Sequence, residues 1–280
     1  MAVALGVLVA LAWGSADFLG GFTSQRVHTV TVLLVSQTFG LAAAILLVVA
    51  LRDAAPDPHV FVESAIAGVV GVAALWLLFR GLALGRMSVV APLSAVGGGV
   101  LPVAWGLLHG EHPTALALVG VALALIAVVV VGRGAEHDPV PSVPPSQEAA
   151  LGIGSGIGFG VVLVLFTESA SHSGMWPVLI ARCAAVPLLV AVALVLGRSP
   201  RVPSGDIAPV AGAGLFDVGA NAVVLLAVRR GLLSLVAPVA ALYPATTVML
   251  ARIVLHEKLG RQRVGGLALG LVGLALIATR

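Results

Sequence analysis

Five ionisable residues interrupt or border otherwise apolar stretches of this chain: Asp17, Glu168, Arg182, Asp217 and Arg252. A charge at bilayer depth costs several kcal/mol, roughly 2.5–3.5 on insertion scales, so each needs a partner or a wet cavity. Asp217 is the most central, and Asn221 follows it on the same helical face. That acid–amide pair suits a polar or cationic group, or a proton in transit. The plainer alternative is a structural hydrogen-bond network. Asp17 stands nearer the edge of its stretch and either joins the same site or reaches water. Trp13, Ser15, Gln37 and Trp76 are placed to add contacts. Glu168 and Arg182 flank one short connection, which predicts an ion pair, with Asp217 the second-choice partner of the arginine.

Gly97-Gly98-Gly99 and Tyr243-Pro244-Ala245 add a second signal. Glycine and proline both weaken helices, and a broken helix near the bilayer midplane turns free backbone groups toward a ligand. Close packing through small residues is the alternative. Gly98 and Tyr243 therefore join Trp13, Asp17, Trp76, Asp217 and Asn221 as candidate substrate contacts.

Other chemistries find less support. No nucleophile stands with a base, and the acids and bases are dispersed, so no catalytic residue, enzyme activity or cofactor is predicted. His109 and His112 flank Glu111, but the spacing fits no metal-binding pattern and no metal is expected. Gly152, Gly154, Gly156, Gly158 and Gly160 alternate without the preceding strand and spacing of a phosphate-binding loop. On a helix, Gly152, Gly156 and Gly160 make one small-residue face. The formal charge is +3 with scattered basic residues, so nucleic acid is not an expected partner. Cys183 is the single cysteine and reads as a small core residue.

These residues need helices to hold them in lipid. The chain is 60% hydrophobic and 10% charged, against about 25% charged in a soluble domain. Ten spans are predicted, near 2–21, 29–51, 62–82, 88–108, 114–132, 150–168, 175–196, 208–228, 233–255 and 262–279. The first lacks a basic leader and reads as a retained helix rather than a cleaved peptide. Trp105 and Trp176 fall near span ends, as an aromatic belt would place them. Residues 133–149, with Pro139, Pro141, Pro144 and Pro145, read as an extended linker between residues 1–132 and 150–280.

The two halves repeat. Shifted by 146 positions, Gly85, Ser88, Val90, Ala91, Pro92 and Ala95 meet Gly231, Ser234, Val236, Ala237, Pro238 and Ala241, and Glu111 meets Glu257. Five helices per half put the second half upside down relative to the first, with a substrate site between them.

The Ala12-Trp13-Gly14 segment, the paired Ala91-Pro92 and Ala237-Pro238, the Gly110-Glu111 and His256-Glu257 turns, and Gly120 and Gly266 resemble the EamA-type transporters of the drug/metabolite transporter superfamily. The resemblance covers nearly the whole chain. It implies a cavity lined by spans one, three, four, six, eight and nine, and both termini in the cytoplasm. The arginine distribution points the other way. Arg52, Arg229, Arg230 and Arg280 lie on the side of the termini, against nine basic residues opposite, from Arg26 to Arg263. The family often carries an arginine in its second and seventh spans. Arg182 matches the seventh, but Ser36 and then Gln37 stand in the second.

The expectation is thus an all-α polytopic protein of the cell membrane, with ten transmembrane helices in two inverted five-helix repeats. It would be a secondary transporter of a small polar or amphipathic metabolite, working by alternating access. Export is the role the resemblance favours. No ATP-binding motif is present, so a proton or counter-substrate would drive it. A membrane-embedded enzyme on a lipid-linked substrate would need clustered acids. A non-transporting scaffold would leave Asp217 and Asn221 without a purpose.

Overall fold

Runs of Val, Leu, Ala and Gly in lipid leave the backbone one outlet, hydrogen bonds within the segment. The computed structural model describes residues 2–108, 114–133, 142–169, 173–229, 240, 242–256 and 260–277. Among these are ten α-helices and no strand. They are α1 Ala2–Ser24, α2 Thr29–Leu51, α3 Pro58–Leu84, α4 Met87–Leu108, α5 Ala115–Arg133, α6 Pro145–Ser169, α7 Trp176–Val195, α8 Ser204–Arg229, α9 Tyr243–Val254 and α10 Arg261–Ile277. By length and composition α1, α2, α3, α6, α7 and α8 can each cross a bilayer.

Local chemistry sets several of the ends. Arg52 takes a left-handed conformation after α2, and its N–H returns to Val48 and Val49. Pro145 starts α6, where a missing N–H costs nothing. The helix therefore begins inside the segment expected to be linker. α4 runs unbroken through Gly97, Gly98 and Gly99, so the interruption expected there does not form. Its counterpart does coincide with a helix start, because α9 begins at Tyr243 with Pro244 in its first turn. Residues 230–239, with Ala237 and Pro238, lie outside the described residues, as do Gly110, Glu111 and Glu257.

The small residues set the packing. α6 lies along α4, and its glycine face is spent on that contact: a Cβ on Gly152 would meet Leu93, one on Gly156 the Ser94 carbonyl, and one on Gly160 Leu101. α6 also packs on α3, while α1 packs on α8 and α9. α5 pairs with α10.

One end of the bundle is stapled by polar contacts. Arg26 reaches Asp206 at 3.4 Å, and the Thr31 hydroxyl donates to the Ser199 carbonyl at 3.0 Å. Nearby, Arg86 forms a bidentate pair with Glu148, with Nε to Oε1 at 3.0 Å. Glu148 is fully buried in the first turn of α6, where a carboxylate also complements the helix N-terminus. Arg86 is one of the nine basic residues counted opposite the termini, and Glu148 falls within the segment expected to be linker. Neither stands alone in a loop.

Beneath this end lies the largest buried apolar cluster, including Phe18, Leu33, Phe79, Leu82, Met87, Val90, Leu189 and Val210.

Candidate functional site

The site begins with two helical repeats of four. Trp13 and Asp17 share a face of α1, and Asp217 and Asn221 share a face of α8. The Asn221 amide donates to the Asp217 backbone carbonyl at 2.8 Å, which leaves the Asp217 carboxylate free to look elsewhere.

It looks at Arg182. The guanidinium, on α7, donates through Nη2 to Asp217 Oδ2 and through Nη1 to Gln37 Oε1 on α2. Glycines permit the approach. A Cβ on Gly214 would strike the Ser36 carbonyl, and one on Gly40 would come within 3.6 Å of Arg182 Nε. The Glu168 side chain lies outside the described residues. What is described at Arg182 is the pair with Asp217. Gln37 stands next to the position where the resembling family often has its second arginine. An amide there accepts from Arg182, where a second guanidinium would repel it.

On the other wall, Trp13 meets Tyr243 edge-on, with ring centroids 6.1 Å apart and planes at 76°. α1 and α9 can touch because residue 14 is glycine: a Cβ there would collide with the Tyr243 carbonyl and Thr246. Thr247 then donates to the Gly14 carbonyl at 3.1 Å.

These groups line one cavity of about 350 Å³. Trp13, Asp17, Gly98, Asp217, Asn221 and Tyr243, all expected contacts, are brought together on its wall. Trp76 is not. α3 turns Ala67, Gly68, Gly71, Val72 and Leu75 inward, and Trp76 falls on the outer surface, 39% exposed. Arg182, expected only as a structural partner, is part of the wall with Val178, Ala181 and Ala185. α2 also contributes, through Gln37. The resemblance implied neither helix. Phe159 of α6 also lines the cavity and was missed. It lies 146 positions after Trp13, so the repeat itself could have found it.

On α1, α2, α3, α4, α7 and α8 alike, the buried apolar cluster lies between the cavity-lining residues and the stapled end. The cavity is therefore sealed at that end.

Residues 1–133 and 147–279 each match the model of the EamA-like transporter family. The chain belongs to the EamA-like transporter family. It is thus a multi-pass integral membrane protein of the cell membrane and a small-molecule transporter by family. No curated protein matches it. A solved structure titled only "Crystal structure of protein" is similar in fold, with a TM-score of 0.68 and 18% identity, over 98% of this chain and 97% of that one. At that identity the likeness concerns the fold alone.

Proposed function

We propose that this EamA-like protein is a secondary transporter that exports a small polar or amphipathic metabolite by alternating access. The observation that carries the reading is the cavity, walled by helices of both halves and closed at one end. A site reached from one side at a time is what alternating access requires.

The helix contacts support two inverted repeats. Exchanging each helix with its counterpart five places on turns the α3–α6 and α4–α6 contacts into α8–α1 and α9–α1, which also occur. The α5–α10 contact maps onto itself. Two copies of one unit facing each other would produce that pattern.

Both termini lie in the cytoplasm in this reading, as the family resemblance implies. The family resemblance is preferred here to the opposing arginine count, in which two of the nine, Arg26 and Arg86, pair with Asp206 and Glu148. Ten crossings put the termini opposite the stapled end. The staples then lie on the outer side.

The substrate contacts are Trp13, Asp17, Gly98, Asp217, Asn221 and Tyr243, and a proton or counter-substrate supplies the drive. The test uses purified protein in liposomes loaded with a cell metabolite extract. Mass spectrometry of the released solutes should reveal a small set leaving only protein-containing vesicles. External counter-substrate or a pH gradient should accelerate their release. Equal release from protein-free vesicles would remove the transporter reading.

A further inference from the structure

Arg182 and Asp217 neutralise each other, which leaves one carboxyl group of the cavity wall, Asp17, without a partner. The described lining contains two carboxylates, Asp17 and Asp217, against one guanidinium, so the wall carries a formal charge of −1. Among the described residues Asp17 has no hydrogen-bond or ion-pair partner, whereas Asp217 is held by Arg182. A carboxyl group shielded from bulk water either keeps its proton or takes a counter-ion, and a cationic ligand would supply the second. The groups beside it suit one. Trp13 stands one turn away on α1 with the Tyr243 ring against it, and such rings attract a cation over their faces. Much of the remaining wall is aliphatic, with Val72, Leu75, Val162 and Leu163.

We infer that the substrate is an organic cation, a protonated or quaternary amine on an apolar body, whose charge sits between Asp17 and the Trp13–Tyr243 pair. This rests on the transporter reading and adds the substrate class to it. An anionic substrate is disfavoured on the same geometry. Arg182 is the only basic residue of the described lining, and both terminal nitrogens of its guanidinium already donate to protein acceptors. The cavity, about 350 Å³, lies near the lower end of the roughly 300–1,000 Å³ typical of small-molecule sites. One aromatic or branched aliphatic amine fills such a space.

Three probes of one shape test this by equilibrium dialysis against the purified full-length protein: 2-phenylethylamine, 2-phenylethanol and 3-phenylpropanoate. The amine should bind roughly tenfold or more tightly than the alcohol, and the acid should bind least. Asp17→Asn should erase the preference for the amine by weakening the amine far more than the alcohol, a split that a structural role for Asp17 would not produce. Asp17→Glu should retain the preference. If Asp17→Asn does not fold, the order of the three probes on the wild type decides. An acid that binds as well as the amine, an amine preference that survives Asp17→Asn, or no binding of any probe would overturn the inference. The vesicle release experiment separates the two readings. Discrete solutes that are anionic or neutral would defeat the cation and spare the transporter, whereas no discrete solute would defeat the transporter itself.

Discussion

Arg182 of α7 and Asp217 of α8 form an ion pair in the wall of the cavity, with Gln37 of α2 taking the second arm of the guanidinium. Three helices from both halves are thereby tied at one guanidinium. Removing one partner of such a pair costs about 3–5 kcal/mol, because the other charge is stranded, and water in the cavity moves the value toward the lower end. Thermal unfolding of detergent-purified protein should show strong coupling between Arg182→Ala and Asp217→Ala. Additivity at Asp217 would refute the pair.

The staple between Arg86 and Glu148 is more deeply buried. Glu148→Ala alone should lower stability by about 3–5 kcal/mol. The double change Arg86→Met with Glu148→Leu should cost clearly less, since no charge is left without its partner. Chemical denaturation of the three proteins compares them directly.

The glycines divide into those that carry a helix contact and those that do not. A Cβ on Gly156 would overlap the Ser94 carbonyl and lie 2.8 Å from the Gly97 Cα, both backbone groups of α4. A Cβ on Gly205 meets nothing within 4 Å. Gly156→Ala should destabilise by about 1–3 kcal/mol. Gly205→Ala should be neutral or stabilising by a few tenths up to about 1 kcal/mol. Equal midpoints for the two variants would contradict the α4–α6 packing.

His28 caps α2, outside the membrane-spanning segments, by accepting the Val30 N–H at Nδ1 over 3.3 Å. Only the neutral ring can accept there. Burial first, and then the charges of Arg198 and Arg80, hold its pKa below the usual 6.5. The folded pKa is the lower one, so the contribution of the neutral ring is complete above about pH 6.5 and is lost as pH falls through the folded value. His28→Asn keeps an acceptor that does not titrate. Across about pH 7 to 5 the wild type should lose thermal stability faster than His28→Asn. Parallel pH profiles would exclude the cap as a titrating group.

Trp13 and Trp76 should part in function. Trp13→Leu removes an aromatic wall of the cavity and should reduce transport at least severalfold, whereas Trp76→Leu alters an outward surface and should leave the rate unchanged. Initial rates in liposomes, corrected for the amount of protein inserted, separate them. A loss confined to Trp76→Leu would place the cavity wall on the wrong face of α3.

What the sequence by itself determined follows from lipid as solvent. Backbone groups must be satisfied within each segment, so long apolar runs became helices, and the predicted spans agree with the described helices to within a few residues at most ends. The duplication and the family were also legible, because an Ala-Pro pair and an acidic residue recurring in register survive against an apolar background. Of the rare charges, Asp17, Arg182 and Asp217 fall on the cavity wall, since each needs a partner or a wet cavity. Only the tertiary structure decided which charges meet, which face of α3 looks inward, and that Arg86 and Glu148 close one end. In water an apolar stripe tells the inner face of a helix from the outer. In lipid both faces are apolar, so periodicity carries almost no such signal, and Trp76 and Leu75 are indistinguishable until the neighbouring helices are in place. Charge pairing is undetermined in sequence for a related reason: Glu168 lies nearer Arg182 along the chain than Asp217 does, but chain distance does not say which helix faces meet. The glycine contact between α2 and α8 is what brings Asp217 up to the guanidinium.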